Sequence, residues 1–472
     1  MVMVDRIYTK DLKNYLGQEV FLAGWVNARR DHGKLIFVDL RDMKGVVQMV
    51  VLPNHAEAHQ LADKIRPEWV IEIKGKVNER PEKMVNLDEE NGNLEIEVLE
   101  VVVLNEAETP PFDVLSDGKE IGEEKRLQYR YLDLRRPRMN KNIKIRGKLT
   151  KFLRDELEKL DFTEVETSLL SKSSPEGARD FIVPARIEPG KFYALPQAPQ
   201  QYKQLLMMAG LEKYFQVARC FRDEDTRSDR QPEFTQLDLE MSFVKQEEVM
   251  SINERLLIDL VEKYFPEKII QEKPFPVITY KEALEKYGTD RPDLRQDKNN
   301  PNLLAFVWIV DFPFFEKDKE TGKWTFTHNP FSAPQEGWLD DLMNKTNIEE
   351  ILASQYDVAL NGFEIGGGSI RNHKPERLKK VLEIIGYSDE QIEKDFGYFL
   401  EALKYGTPPH GGMAWGLDRL LAVLMNESSI REVIAFAKTG EGRDLMMASP
   451  AEVSVEQLKE LSLEIKNKQK NK

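Results

Sequence analysis

An arginine, a phenylalanine, an amide and two carboxylates stand around one polar loop in a spacing that suits a charged nucleotide. They are Arg222, Asp223, Glu224, Gln231 and Phe234. Before the loop, Tyr214, Gln216, Ala218, Cys220, Arg222 and Glu224 share one parity, opposed by Phe215, Val217, Arg219 and Phe221. After it, Phe234, Gln236, Asp238 and Glu240 oppose Leu237, Leu239 and Met241. Strand side chains alternate between two faces, so the pattern predicts an antiparallel hairpin with a polar face and a packing face. Arginine balances phosphate charge and a phenyl ring stacks on a base. On alternation alone, though, a polar face is more often solvated surface.

A second constellation lies in Asp357-Val-Ala-Leu-Asn-Gly-Phe-Glu364. Asn-Gly is the strongest short signal for a two-residue hairpin turn. With the turn at Asn361-Gly362, Leu360 pairs with Phe363 and Ala359 with Glu364, so Asp357 and Glu364 fall diagonally on one face. Two such carboxylates suit Mg²⁺ held partly by phosphate, although two solvated acids on a hairpin are as common. Lys203 and Arg371 are candidates for gripping a carboxylate, since a guanidinium forms paired hydrogen bonds and an ammonium adds charge. Each alone is usually a surface cation.

The order Phe221-Arg-Asp-Glu-Asp225 followed by Arg230-Gln-Pro-Glu-Phe-Thr-Gln236 resembles motif 2 of the class II aminoacyl-tRNA synthetases, in the form carried by bacterial aspartyl-tRNA synthetases. The resemblance implies ATP as substrate, with Arg222 at the α-phosphate, Glu224 and Phe234 at adenine, and Arg419 at the γ-phosphate. Arg222 and Arg419 then become the catalytic residues. Asp223, Gln231, Glu364 and the stretch Gly416, Leu417, Asp418, Arg419 match further ATP positions. It implies an aspartate pocket of Glu176, Gln200, Lys203, Arg222, Asp238, His328 and Arg371, with Asp357 and Glu364 as the Mg²⁺ ligands. Phe37, Gln48 and Glu97 match anticodon contacts. The expected activity is formation of aspartyl-adenylate and transfer to tRNA(Asp). Alternatives are a relaxed enzyme that also charges tRNA(Asn), suggested by His32, and a non-catalytic tRNA-binding paralogue. Three departures stand out: Ser168 replaces a proline of motif 1, Asn329 replaces the second histidine of a His-His-Pro-Phe-Thr loop, and an insertion domain is missing near 296–302.

These residues need elements to hold them. Residues 1–104 show five alternating runs, Glu19–Asn27, Leu35–Leu40, Val46–Leu52, Val70–Val77 and Leu94–Leu104, with a helical stretch between the third and fourth. That is the order of an OB-fold, a barrel that often binds unpaired bases. Residues 105–135, with Thr109-Pro-Pro111, read as a linker. In 136–472, a helix over Met139–Leu160 and a strand Phe162–Thr167 resemble motif 1, which implies a homodimer. Helices are predicted at Ala198–Ala209 and from a Ser388/Gln391 capping box to about Lys404. Hairpins rather than βαβ units favour an α+β, antiparallel catalytic domain.

The chain has 472 residues and 41% hydrophobic content, enough for two or three packed domains. No apolar run approaches the roughly 18 residues of a membrane span. The N-terminus lacks a signal-peptide core, so a cytoplasmic protein with no membrane partner is expected. A lone cysteine, Cys220, excludes an internal disulfide framework and a Cys-rich zinc site. The net charge of −14 makes tRNA binding depend on local patches such as Arg29, Arg30, Lys34, Arg41 and Lys44.

Overall fold

Alternation in the first hundred residues closes a barrel. The computed structural model describes residues 6–174, 177–319 and 321–466, in two compact units, Met1–Ile121 with Arg135–Pro137, and Gly122–Leu134 with Arg138–Lys472. In the first, β1 (Glu19–His32), β2 (Leu35–Arg41), β3 (Val46–Val51), β4 (Val70–Glu79) and β5 (Leu94–Asn105) close in the order β1-β2-β3-β5-β4. Helix α1 (Ala56–Ala62) lies between β3 and β4 in sequence. Ile36, Val38, Leu40, Val47, Met49 and Ile96 fill the interior, and the intervening residues face outward. The unit is an OB-fold. The segment read as a linker divides: 105–121 goes with the barrel, and 122–134 with the second unit, where it forms short helices Glu123–Gln128 and Arg130–Asp133.

The second unit is α+β. Helix α2 (Pro137–Lys159) is followed by β6 (Thr163–Glu164), α3 (Gln200–Met208), β7 (Lys213–Phe221), β8 (Glu233–Ser242) and α4 (Gln246–Tyr264). Then come β9 (Val277–Thr279), β10 (Phe306–Val310), β11 (Gln355–Leu360), β12 (Phe363–Ile370), α5 (Asp389–Leu403), β13 (His410–Gly416) and α6 (Leu417–Leu424). Eight strands form one sheet in the order β9-β10-β11-β12-β13-β8-β7-β6. Only the outer pairs, β9 with β10 and β6 with β7, are parallel. The strand expected over Phe162–Thr167 shortens to two residues, because it pairs only at the sheet edge. The capping box is present: Ser388 accepts from the Gln391 backbone and opens α5.

One sheet face is sealed by helices. Leu149, Phe152, Leu153 and Leu157 of α2 join Leu256, Leu257 and Leu260 of α4 and Leu420 and Leu421 of α6. Leu237, Leu239 and Met241 from β8 and Met413 and Trp415 from β13 meet them. The helices therefore take the apolar parity of each strand and leave the polar parity for the opposite face.

Candidate active site

The polar face is not solvated surface. Asp238 and Glu240 are wholly buried, and Gln216 nearly so. β8 lies between β7 and β13, with Asp238 opposite Gln216 and Ala414, and Glu240 opposite Tyr214 and Gly412. A Cβ on Gly412 would stand 2.1 Å from Glu240 Oε2, so only glycine lets that carboxylate lie across β13. Glu240 needs the space because it accepts from Arg371 Nε at 2.9 Å and Nη2 at 3.1 Å. Lys203 Nζ, reaching in from α3, lies 2.7 Å from Asp238 and 3.2 Å from Glu240.

Two cations and two carboxylates thus form a buried, balanced quartet. Burial raises the Asp238 carboxyl, and Lys203 only partly offsets it. Burial also acts on Glu240, but Arg371 and Lys203 outweigh it and hold that carboxyl below its ordinary value. The cations expected to be free for a ligand are therefore already paired. Each still keeps donor capacity. Arg371 uses four of its five N–H groups, on Glu240, Ser369 Oγ and the Gly412 carbonyl, and Lys203 donates one to Asp238 while standing in ion-pair contact with Glu240.

Three of the quartet, Lys203, Asp238 and Arg371, border a cleft of about 290 Å³. Gln200, Lys203, Asp238, His328 and Arg371 line it at this end, with Arg222, Glu224, Gln231 and Phe234 beyond them, and Glu364, Gly416, Asp418 and Arg419 also on its wall. The Arg222 guanidinium sits 5.1 Å from the centre of the Phe234 ring. The Nε atoms of Arg222 and Arg419 are buried without a hydrogen-bond partner among the described residues. Arg419 Nη1 donates to the Glu364 carbonyl, and Asp229 lies 3.4 Å from its Nη2. Glu224 pairs with Arg230 at 3.2 Å.

The Asn-Gly turn forms as its sequence requires. Asn361 and Gly362 both have positive φ, 51° and 90°, and Leu360 pairs with Phe363 and Ala359 with Glu364. The register then slips at Ile365, so Asp357 pairs with Gly367 rather than Gly366. Ile365 turns into the core while Asp357 and Glu364 stay on one face. Burial and the Glu364 charge push the Asp357 carboxyl well above its usual range. A Cβ on Gly367 would meet Asp357 Oδ1 at 2.5 Å and His328 Cε1 at 3.6 Å. The bare glycine therefore separates the carboxylate from the imidazole. Burial, Arg371, Arg222 and Lys203 together depress the His328 pKa to about 3. Asn329 takes a different part from a second histidine: its Oδ1 accepts from the Phe331 backbone at 3.0 Å and folds the loop into a turn.

Several sequence-named residues stand elsewhere. Asp223 faces Arg179 at 3.7 Å and does not line the cleft. Leu417 belongs to the core. Asp418 borders the cleft, yet its carboxylate is engaged by Arg146 and the Thr235 backbone. Glu176 lies outside the described residues. Among the described residues, no group of three or more His, Cys, Asp or Glu is arranged around a metal position, so the hairpin offers only its two carboxylates. Sequence reasoning missed Glu240, Gln204, Gln355, Asp229 and Ser369. Glu240 had a signal, its shared parity with Asp238; the others depend on contacts across the sheet.

Two family descriptions match this architecture. The model "tRNA synthetases class II (D, K and N)" covers residues 122–440, and an OB-fold nucleic acid binding domain covers 20–104. The chain belongs to the class II tRNA synthetases. An aspartate–tRNA ligase of Listeria monocytogenes is 38% identical to this synthetase, covering 97% of this chain and 98% of its own. An aspartate–tRNA(Asp/Asn) ligase of Natranaerobius thermophilus is 40% identical over 96% and 97%. The Listeria alignment runs over 582 positions against 472 residues here, so that relative carries a stretch with no counterpart in this chain. Among solved structures, an asparaginyl-tRNA synthetase from Pyrococcus horikoshii with asparaginyl-adenylate has a TM-score of 0.74 at 24% identity, covering 93% of this chain and 99% of its own. An aspartyl tRNA synthetase from Entamoeba histolytica has 0.71 at 23%, covering 92% of each. Both share the fold.

The synthetase's barrel presents its named residues on the outside. Phe37 pairs with Val50, which pairs with Glu97, while Gln48 pairs with Asp39 and Glu95. Phe37, Gln48 and Glu97 therefore share the outer face of β2, β3 and β5, and none is in the interior cluster. His32 packs edge-on against Phe37 at 5.7 Å. The basic patch is weaker than its composition suggests, since Arg29, Arg30 and Arg41 are paired with Asp31 and Asp63, Asp39, and Glu68. No described helix is long and apolar enough to cross a membrane.

Proposed function

We propose that this synthetase is an aspartate–tRNA ligase that joins L-aspartate and ATP into aspartyl-adenylate and transfers the aspartyl group to the 3′ end of tRNA(Asp). The observation that carries the reading is the Lys203–Arg371–Asp238–Glu240 quartet at one end of the cleft. After internal pairing, Lys203 and Arg371 both retain donor capacity, and a β-carboxylate offers acceptor oxygens to both. An asparagine amide would set its own NH₂ against one of those donors, leaving a buried group unpaired. The names of the Listeria and Natranaerobius relatives point to the same amino acid.

Phe234 and Glu224 then take adenine, and the guanidinium groups of Arg222 and Arg419, both on the cleft wall, face phosphate oxygens. The aspartate α-carboxylate attacks the α-phosphorus, the bond to the bridging oxygen breaks, and pyrophosphate leaves. Arg222 stabilises charge on the α-phosphate where the substrates meet, and alignment supplies much of the rest. Asp357 and Glu364 fit a Mg²⁺ site: both are oxygen donors on one face, and burial with the Glu364 charge pushes the Asp357 carboxyl up. When bound, Mg²⁺ supplies charge neutralisation to the triphosphate. His328 borders both Gly367 and the cationic end, where it can adjust to substrate. The residues from Arg291 to Asn302 bridge the point where an insertion domain is absent, and no cleft residue lies in that bridge.

Aspartate-dependent pyrophosphate exchange tests the reading. Exchange with aspartate and none with asparagine or lysine is expected; exchange with asparagine instead, or none in folded protein, would sink it. A second reading, charging of tRNA(Asn) as well, is favoured by His32 against Phe37 and by the name of the Natranaerobius relative. Aminoacylation of the two purified tRNAs separates the readings.

A further inference from the structure

Behind the cleft wall runs a hydrogen-bond chain whose polarity is fixed from one end. His410, the first residue of β13, is wholly buried, as is Gln204, and Gln200 is nearly so. His410 Nδ1 lies 2.8 Å from the Pro408 carbonyl. A carbonyl can only accept, so Nδ1 carries the proton. In a neutral imidazole Nε2 is then an acceptor. Gln204 approaches Nε2 at 3.1 Å and must present its NH₂. Its carbonyl oxygen is therefore turned the other way, 3.0 Å from Gln200, and Gln200 must answer with its own NH₂. The Gln200 amide oxygen is left as the acceptor at the cleft.

The ring must stay neutral for this order to hold. Burial pushes the His410 pKa below its usual value; Glu240 and the Pro408 carbonyl pull the other way, and Arg371 and His373 side with burial. Gln200 and Gln204 are four apart on α3, so they stack on one helix face next to Lys203.

We propose that His410 and Gln204 are positioning residues that hold the Gln200 amide oxygen toward the cleft, where it accepts from the α-ammonium of the bound amino acid. This rests on the reading that aspartate occupies the cleft. With the β-carboxylate on Lys203 and Arg371 and the α-carboxylate reacting, the ammonium is the remaining group, and it can only donate. A reversed Gln200 would point N–H groups at it.

The test uses Gln204→Met, which keeps shape and removes polarity, His410→Phe, and Gln204→Glu, whose oxygens still accept from Gln200. Pyrophosphate exchange gives KM for aspartate and ATP. Succinate, which has both carboxylates and no ammonium, gives an inhibition constant. Losing one hydrogen bond to a charged group raises the aspartate KM about tenfold or more in Gln204→Met and His410→Phe. The ATP KM and the succinate constant stay within about twofold, because neither ligand uses that bond. Gln204→Glu returns the aspartate KM toward wild type. Equal weakening of aspartate and succinate, or an unchanged aspartate KM, overturns the proposal. If His410→Phe does not fold, Gln204→Met decides. Wild-type protein without aspartate-dependent exchange overturns the underlying activity as well, and is recognised before any variant is compared.

Discussion

At the residue scale, the buried quartet makes single substitutions severe and paired ones mild. Lys203→Met leaves Asp238 and Glu240 facing Arg371 alone, an uncompensated buried charge that costs about 3–5 kcal/mol of stability. Urea unfolding checks this, and aspartate-dependent exchange should vanish. Adding Asp238→Asn restores the charge balance, so stability recovers while exchange stays lost. His328 makes a prediction about pH. Its pKa is about 3 in the folded protein and about 6.5 in the unfolded chain. Between these values the unfolded chain binds the extra proton, so the contribution to stability is complete above about pH 7 and falls with falling pH. At pH 5 the loss is roughly 2 kcal/mol. His328→Gln lacks this term, so its Tm should fall less than wild type between pH 7 and pH 5. Equal slopes would contradict the depressed pKa.

At the element scale, the β11–β12 hairpin sets where two carboxylates converge, and Gly367 is its tightest point. A methyl group there displaces Asp357 Oδ1, which stands 2.5 Å from the position of that Cβ. Gly367→Ala should raise the Mg²⁺ needed for half-maximal exchange at least several-fold, with a stability loss of only about 1–3 kcal/mol. A Mg²⁺ titration of exchange, beside a thermal melt, separates the two effects. The barrel's outer face makes an independent prediction. Base stacking on an aromatic ring contributes about 1–3 kcal/mol, so Phe37→Ala should weaken tRNA charging about tenfold and leave pyrophosphate exchange unchanged. The hairpin's faces were legible in sequence, because an Asn-Gly turn is a local property, whereas which face of β2 holds Phe37 follows from closure of the barrel. The bulge at Ile365 was not legible, since it follows from that side chain finding the core.

At the scale of the whole molecule, α2 and the strand after it resemble the dimer motif despite Ser168, and light scattering should give a mass near twice 54.7 kDa. A mass of one chain would place the site wholly within a monomer. Local sequence was enough to tell which residues share a strand face, where the Asn-Gly hairpin turns, and which motifs match those of the class II tRNA synthetases. Packing in three dimensions buries Gln216, Asp238 and Glu240 of the polar face, pairs Lys203 and Arg371, and sets Asp223 and Leu417 away from the cleft-facing residues. It also brought Gln204 to His410 and Arg371 to Glu240. The reason is physical: parity and turns depend on neighbours along the chain. Desolvation, charge pairing and amide polarity instead depend on neighbours in space, and the arrangement of β8, β12, β13 and α3 supplies those across sequence separations of 131 for Glu240 and Arg371 and 206 for Gln204 and His410.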